Sequence, residues 1–198
     1  MAISIDPASV RTSLTNYAKE YPEFHDELKI ANDTFSALNS YWTGERYKKI
    51  MQAWNNVVPE LNKQLKALAD SSRLLNTLFK NYTTADTNPI NVEAASLLTL
   101  TSCNISTKQE INYDNGKLLS DLQKVSNAIS QARGKASSMK DINNGTQWSG
   151  EGAIDTLKQD VKNALTKIDT ALSGLSTDVD KALRDTSEDF EKAKNSYN

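Results

Sequence analysis

Apolar residues recur along this chain in four long stripes. The first runs Val10, Leu14, Tyr17, Tyr21, Phe24, Leu28, Ala31, Phe35 and Leu38, in steps that alternate four and three residues. That spacing keeps side chains on one helical face, as heptad packing requires. Asp6-Pro7 marks the start, because an acid at the cap and a proline at the first helical position cost no hydrogen bond. The stripe stops near Asn39-Ser40, and Trp42-Thr43-Gly44 follows. Gly44 suits the positive φ of a tight turn. A second stripe begins at once: Tyr47, Ile50, Trp54, Val57, Leu61, Leu65, Leu68, Ser72, Leu75, Phe79 and Tyr82, with Ser72 its one polar member. So short a connection predicts antiparallel neighbours. Pro22 and Pro59 fall 20 residues before and 17 after Trp42. Both stripes continue in register through them, so they read as matched kinks at one level of the hairpin. A break at Pro22 is the alternative.

The pattern fails from Thr83 to about Gly116. Asn88-Pro89 offers a cap, residues 90–100 have the make-up of a short helix, and Asp114-Asn115-Gly116 is a turn signal. The apolar patch at Leu97, Leu98 and Leu100 is too short to span a bilayer and is expected to cover the end of the core. A third stripe runs Leu118, Leu122, Val125, Ile129, Ala132, Ala136, Met139 and Ile142, and Asn143-Asn144-Gly145 ends it. Trp148-Ser149-Gly150 follows. The fourth stripe runs Ile154, Leu157, Val161, Leu165, Ile168, Leu172, Leu175, Val179 and Ala182, then Phe190 and Tyr197. At 1.5 Å per residue the last helix approaches about 70 Å, so a rod is expected. The fold class read from this is all-α: two helix-turn-helix hairpins packed as an elongated antiparallel four-helix bundle. The units are 1–88, a partly helical linker 89–116, and 117–198.

Composition agrees with long helices. The 198 residues hold only 7 Gly and 4 Pro, too few turn formers for a many-stranded β fold. Charges nearly cancel, 23 basic against 25 acidic, so there is no basic surplus for nucleic acid. One cysteine, Cys103, excludes an internal disulfide and a multi-cysteine zinc site, and one histidine, His25, cannot share a metal with a second. No 18-residue apolar run predicts a transmembrane helix. The first residues show no basic region followed by an apolar one, so no general-secretion signal is expected.

Individual residues have plain readings. Trp42 and Trp148 serve as core caps at the corners, Trp54 as core, and Tyr82 as the last stripe residue. Asp86 reads as a solvated loop acid. Cys103 reads as a small buried hydrophobe rather than a nucleophile, which would need a nearby base. His25 sits on a polar flank. No Gly-Lys-Ser/Thr follows Gly145 and Gly150, so no phosphate loop is supported. No nucleophile–base or metal constellation appears, and no enzyme, cofactor or small-molecule substrate is expected.

The two halves repeat one plan, helix, Trp-x-Gly corner, helix, with almost no other identity. On these residues the chain resembles the WXG100 (ESAT-6-like) family, helical hairpins that pair into four-helix dimers and leave bacteria through the type VII secretion system. The resemblance covers the whole chain as two fused units. Tyr82-Thr-Thr-Ala-Asp86 is similar to the family's Tyr-x-x-x-Asp/Glu export motif and stands 40 residues after Trp42. The resemblance implies a composite export signal read by the secretion ATPase. Tyr82 and Asp86 of the first unit would lie beside Trp148 and Gly150 of the second, with Trp42 and Gly44 forming the matching corner. After the fourth helix, Phe190-Glu191-Lys192-Ala193-Lys194 departs from the motif, with Phe for Tyr and Lys where the acid belongs. The second unit is thus expected to lack its own signal, and the departure leaves open whether the fused chain is itself exported.

Three classes of function follow. The first is a fused pseudo-heterodimer that serves as a type VII substrate or secretion partner, cytoplasmic before export and secreted without a cleavable signal. The second is a chaperone or docking module for another WXG100-like protein or a larger secreted toxin. The third, least favoured, is a membrane-active helical toxin; stable membrane insertion is not expected. A geometric condition separates arrangements. If the corners lie at opposite ends, Tyr82 comes near Trp148, and the linker must travel the rod. Its ~30 residues reach about 100 Å extended, which suffices.

Overall fold

Asp6 caps the first helix as its sequence demands, accepting from the Ala8 and Ser9 amides at 3.0 and 3.2 Å, with Pro7 opening the helix. The computed structural model describes residues 4–82, 97–107, 115–149 and 152–196, apart from the side chains of Ser72, Asn76, Phe79, Lys80, Asn81, Tyr82 and Asn115. Four helices account for most of these: α1 (Pro7–Leu38), α2 (Glu45–Tyr82), α3 (Asn115–Gly145) and α4 (Gly152–Asn195). Both α1 and α2 run unbroken through Pro22 and Pro59. Gly44 takes the turn with φ 103°.

The four helices pack together into an all-α bundle. Along α1 the stripe is buried from Val10 to Leu38 except for half-buried Leu14, and on α3 only Ile142 of the stripe is half-buried. On α2 the buried face is wider than the heptad predicts. Met51, Val58, Gln64 and Ala69 are buried besides the stripe, while Val57 is half-buried. A helix covered on two sides needs that broader face.

Backbone proximity runs α1 to α3, α3 to α4 and α4 to α2; the expectation that the short connection makes α1 and α2 packed neighbours is corrected, for they barely approach each other and residues 97–107 lie between them. Cross-contacts fix the directions. Tyr41 donates to Asp121 at 2.6 Å, while Lys135 reaches back to Glu20 at 3.2 Å, so α1 and α3 are antiparallel. Ser126 donates to Asp180 and Arg133 pairs with Asp169, so α3 and α4 are antiparallel too. Arg46 at the start of α2 meets Asp189 near the end of α4 at 2.6 Å. Beyond that level no described helix covers α4. That explains why Phe190, expected on the stripe, is exposed. Tyr197 lies outside the described residues.

The open side of this ring, between α1 and α2, is sealed by residues 97–107. Here the expectation of a helix is corrected: residues 97–107 are not helical, and residues 90–96 lie outside the described set. The position is corrected as well. Leu100 and Cys103 are buried against the flank of the bundle, beside Asn32, Asn55 and Asn62, and not at its end; Leu97 is exposed. The physical reason is composition. The stretch is Thr-rich with alternating apolar residues, which favours extended chain over helix.

Two-residue strands β1 (Ser4–Ile5) and β2 (Trp148–Ser149) pair antiparallel, Ile5 opposite Trp148. They tie the chain start to the second corner.

Candidate functional site

The two Trp-x-Gly corners lie at opposite ends of the bundle. Trp42 is 3% exposed and meets the Tyr47 ring edge-on, with centroids 5.9 Å apart. A cleft of about 290 Å³ beside it is lined by Trp42, Gly44, Arg46, Leu118, Thr186 and Asp189. The first corner therefore sits among the start of α3 and the end of α4. Tyr41 braces it, its hydroxyl on Asp121 and the Lys117 ammonium 3.9 Å from its ring centroid.

Trp148 is equally buried, in a small cluster with Val10 and Ile154, against which Ile5, Leu14 and Leu78 pack. A cavity of about 50 Å³ beside the indole is lined in part by Val10, Leu14, Tyr17, Leu75 and Val161. The corner's backbone is held from three sides. Lys158 Nζ donates to the Thr146 and Trp148 carbonyls at 2.8 and 3.2 Å. Asn143 Nδ2 donates to the Lys158 carbonyl at 2.9 Å. The Asp6 amide donates to the Gln147 carbonyl, and the Gln147 amide donates to Ser9 Oγ. A lysine on the exposed carbonyls of a helix C-terminus is also favoured by the dipole.

Of the expected signal residues, Trp42, Gly44 and Trp148 are in place at the corners. Asp86 and Gly150 lie outside the described residues, as does the side chain of Tyr82. The last turns of α2 do reach the second corner. Leu78, one turn before Tyr82, shares the Trp148 cluster. The N-terminal strand and Lys158 were not foreseen. An isolated Ile5 and one lysine among 23 basic residues carry no pattern that would single them out.

A second set of residues also escaped the sequence reading: those that hold residues 97–107. Asn62 accepts from the Leu100 amide at 2.8 Å and donates to the Leu100 carbonyl at 2.9 Å. Asn55 does the same for Cys103, at 2.7 and 2.8 Å. Asn32 accepts from the Thr101 amide at 2.8 Å, and Trp54 Nε1 donates to the Thr101 carbonyl at 2.9 Å. Tyr47 Oη accepts from the Ser106 amide at 3.1 Å and lies 3.0 Å from the Asn104 carbonyl. Trp54 is core, as expected, and stacks on Phe35 with centroids 4.6 Å apart. Burial pushes the Cys103 thiol above its ordinary value, opposed by a hydrogen bond with Ser36.

His25 is half-buried and lies 3.6 Å from Asp26. Among the described residues no group of three or more His, Cys, Asp or Glu side chains is placed to hold a metal ion, and no helix is long and apolar enough to cross a membrane. Neither a family model, a curated protein nor a solved structure matches the chain.

Proposed function

We propose that this chain is a non-enzymatic interaction protein of the type VII secretion route, a fused WXG100-like pseudo-heterodimer that acts as a substrate or secretion partner. In this reading its two hairpins, α1–α2 and α3–α4, stand for the two subunits of a family dimer. Tyr82 and Asp86 of one, with Trp148 and Gly150 of the other, form the export signal that a secretion ATPase reads. The observation that supports this reading most is the meeting of Leu78, near the end of α2, with Trp148 in one apolar cluster. It brings the chain that carries Tyr82 to the opposite hairpin's corner. The repeated Trp-x-Gly corners, at opposite ends, support it further.

The chemistry suits recognition by a protein. An indole at a corner presents a large apolar body with one donor, and a tyrosine with an acid four residues on in the chain adds a ring and a charge for a partner to read.

The experiment is export from the native cell. Tyr82→Ala and Asp86→Ala, made singly in the full chain, are expected to abolish export. Circular dichroism should confirm an unchanged helical protein in the cytoplasm. Export at the wild-type level would remove this assignment of the signal.

A further inference from the structure

The helix contacts run α1 to α3 to α4 to α2 and stop there, for α1 and α2 barely approach each other. What remains between α1 and α2 is a groove floored by the stacked Phe35 and Trp54 and edged by Asn32, Asn55 and Asn62. Its occupant is held by the main chain. Leu100 and Cys103 each exchange both backbone polar groups with one asparagine carboxamide, which offers an acceptor and donors much as a neighbouring strand would. Trp54 and Tyr47 add contacts that are again to backbone. Such grips do not read side chains.

The spacing is matched. Asn55 and Asn62 are one heptad apart, a rise of about 10.5 Å along a helix. Leu100 and Cys103 are three residues apart, about 10 Å of extended chain. A straight α-helix with asparagine every seventh residue thus meets every third residue of an extended segment. Side chains enter the core at only a few points, chiefly Leu100 and Cys103. The occupant also differs from the rest of the chain, for residues 94–107 contain no charged residue in a protein that is 24% charged.

We propose that the α1/α2 groove is a peptide-binding site and that residues 97–107 are its resident occupant. Its ligand class is an extended, uncharged segment of a partner polypeptide, with an aliphatic side chain three residues ahead of a small one. The resident segment defines that chemistry. Being tethered, it holds the site at high effective concentration, so a partner's segment enters when the resident one is displaced. The inference stands on the groove alone and does not depend on the export reading.

The probe is a fluorescein-labelled synthetic peptide of residues 97–107, kept under reductant. In the full-length protein, Leu100→Asp places an unpaired charge in the core and should expel the resident segment. Fluorescence anisotropy is expected to show saturable binding to this variant and at least about tenfold weaker binding to the wild-type chain, where the site is filled. Adding Asn55→Leu and Asn62→Leu to the variant should weaken binding by at least about tenfold, because each removes a donor and an acceptor. A helical Leu100→Asp protein that does not bind the peptide overturns the proposal. Should that variant fail to fold, a second protein decides. The full chain, with protease sites inserted near residues 90 and 110, is cut at both and incubated with excess labelled peptide. Uptake of label with loss of the unlabelled segment supports the site; a bundle that takes up no label overturns it.

Discussion

The carboxamide of Asn62 holds both the N–H and the C=O of Leu100, at 2.8 and 2.9 Å, so one α2 side chain does for that residue what a neighbouring strand would do. Leu100 is 2% exposed, and water cannot easily replace either bond. Asn62→Ala is therefore expected to leave two backbone groups unsatisfied. The cost should be about 1–3 kcal/mol, which urea unfolding would measure. Helical content should be unchanged, because the two bonds lost run to residues 97–107 and not between helices. A cost near zero would mean that water already serves these groups.

Cys103 gives a direct reading of the same segment. It is the only cysteine, 9% exposed, and burial holds its thiol above the ordinary value. The thiolate is the reactive species, so alkylation near neutral pH should be slow in the native protein and should proceed through opening of residues 97–107. Asn55→Ala removes the two bonds that fix Cys103 and should speed reaction with a maleimide by about tenfold or more, for a loss of roughly 1.5 kcal/mol. Equal rates in the two proteins would show that alkylation does not need the segment to leave.

The stripes were legible because burial on a helix is periodic. Val10, Phe24, Leu28, Val125, Ile129, Leu165 and Leu172 could be placed in the core from spacing alone, and they are there. The start of α1, the turn into α2 and the end of α3 followed from Pro7, Gly44 and Gly145, whose local chemistry decides the chain direction. Residues 97–107 were not legible. An extended segment lying on helices shows neither heptads nor a strand partner in sequence, and its partners are polar residues at the flanks of a stripe. Asn32, Asn55 and Asn62 look like ordinary surface asparagines until Thr101, Cys103 and Leu100 are laid against them. The Trp148 corner was half legible. Its indole and turn were evident, whereas Lys158 and Ser9 act through tertiary approach that no local pattern encodes.

Charges across α1 and α3 set a pH dependence of mixed sign. Lys135 bonds Glu20 and Glu23, and hydrogen bonding with that ammonium holds the Glu23 carboxyl below its ordinary value. A depressed carboxylate contributes stability above the unfolded pKa and loses it as pH falls through the folded one. Glu27 behaves oppositely. Burial, then the nearby Asp26, raises its pKa, so its charged form opposes folding at neutral pH, and that opposition fades as pH falls through the raised value. Glu27→Gln is thus expected to raise the melting temperature slightly at pH 7 and to have little effect near pH 4. Lys135→Met should lower it at pH 7, with the difference shrinking in acid. Thermal melts between pH 4 and 8 would test both signs.

The second corner can be loosened without touching its indole. Lys158 Nζ spans the Thr146 and Trp148 carbonyls, and the Gln147 peptide between them receives the Asp6 amide and donates to Ser9 Oγ. One ammonium therefore fixes the loop on which the start of α1 rests. Lys158→Met keeps the aliphatic stem and removes both bonds, worth about 1.5–3 kcal/mol when the donor is charged. The loss should be local, because the site lies at one end of the bundle and few buried contacts hold it. Amide hydrogen exchange is expected to quicken at Asp6 and Gln147 by roughly tenfold, the factor that 1.4 kcal/mol of lost protection gives. Leu122 and Val125, in the first half of α3 and away from this corner, should keep their protection. Uniform quickening along all four helices would show instead that the corner is coupled to global unfolding, and that Trp148 and the start of α1 open only when the whole bundle does.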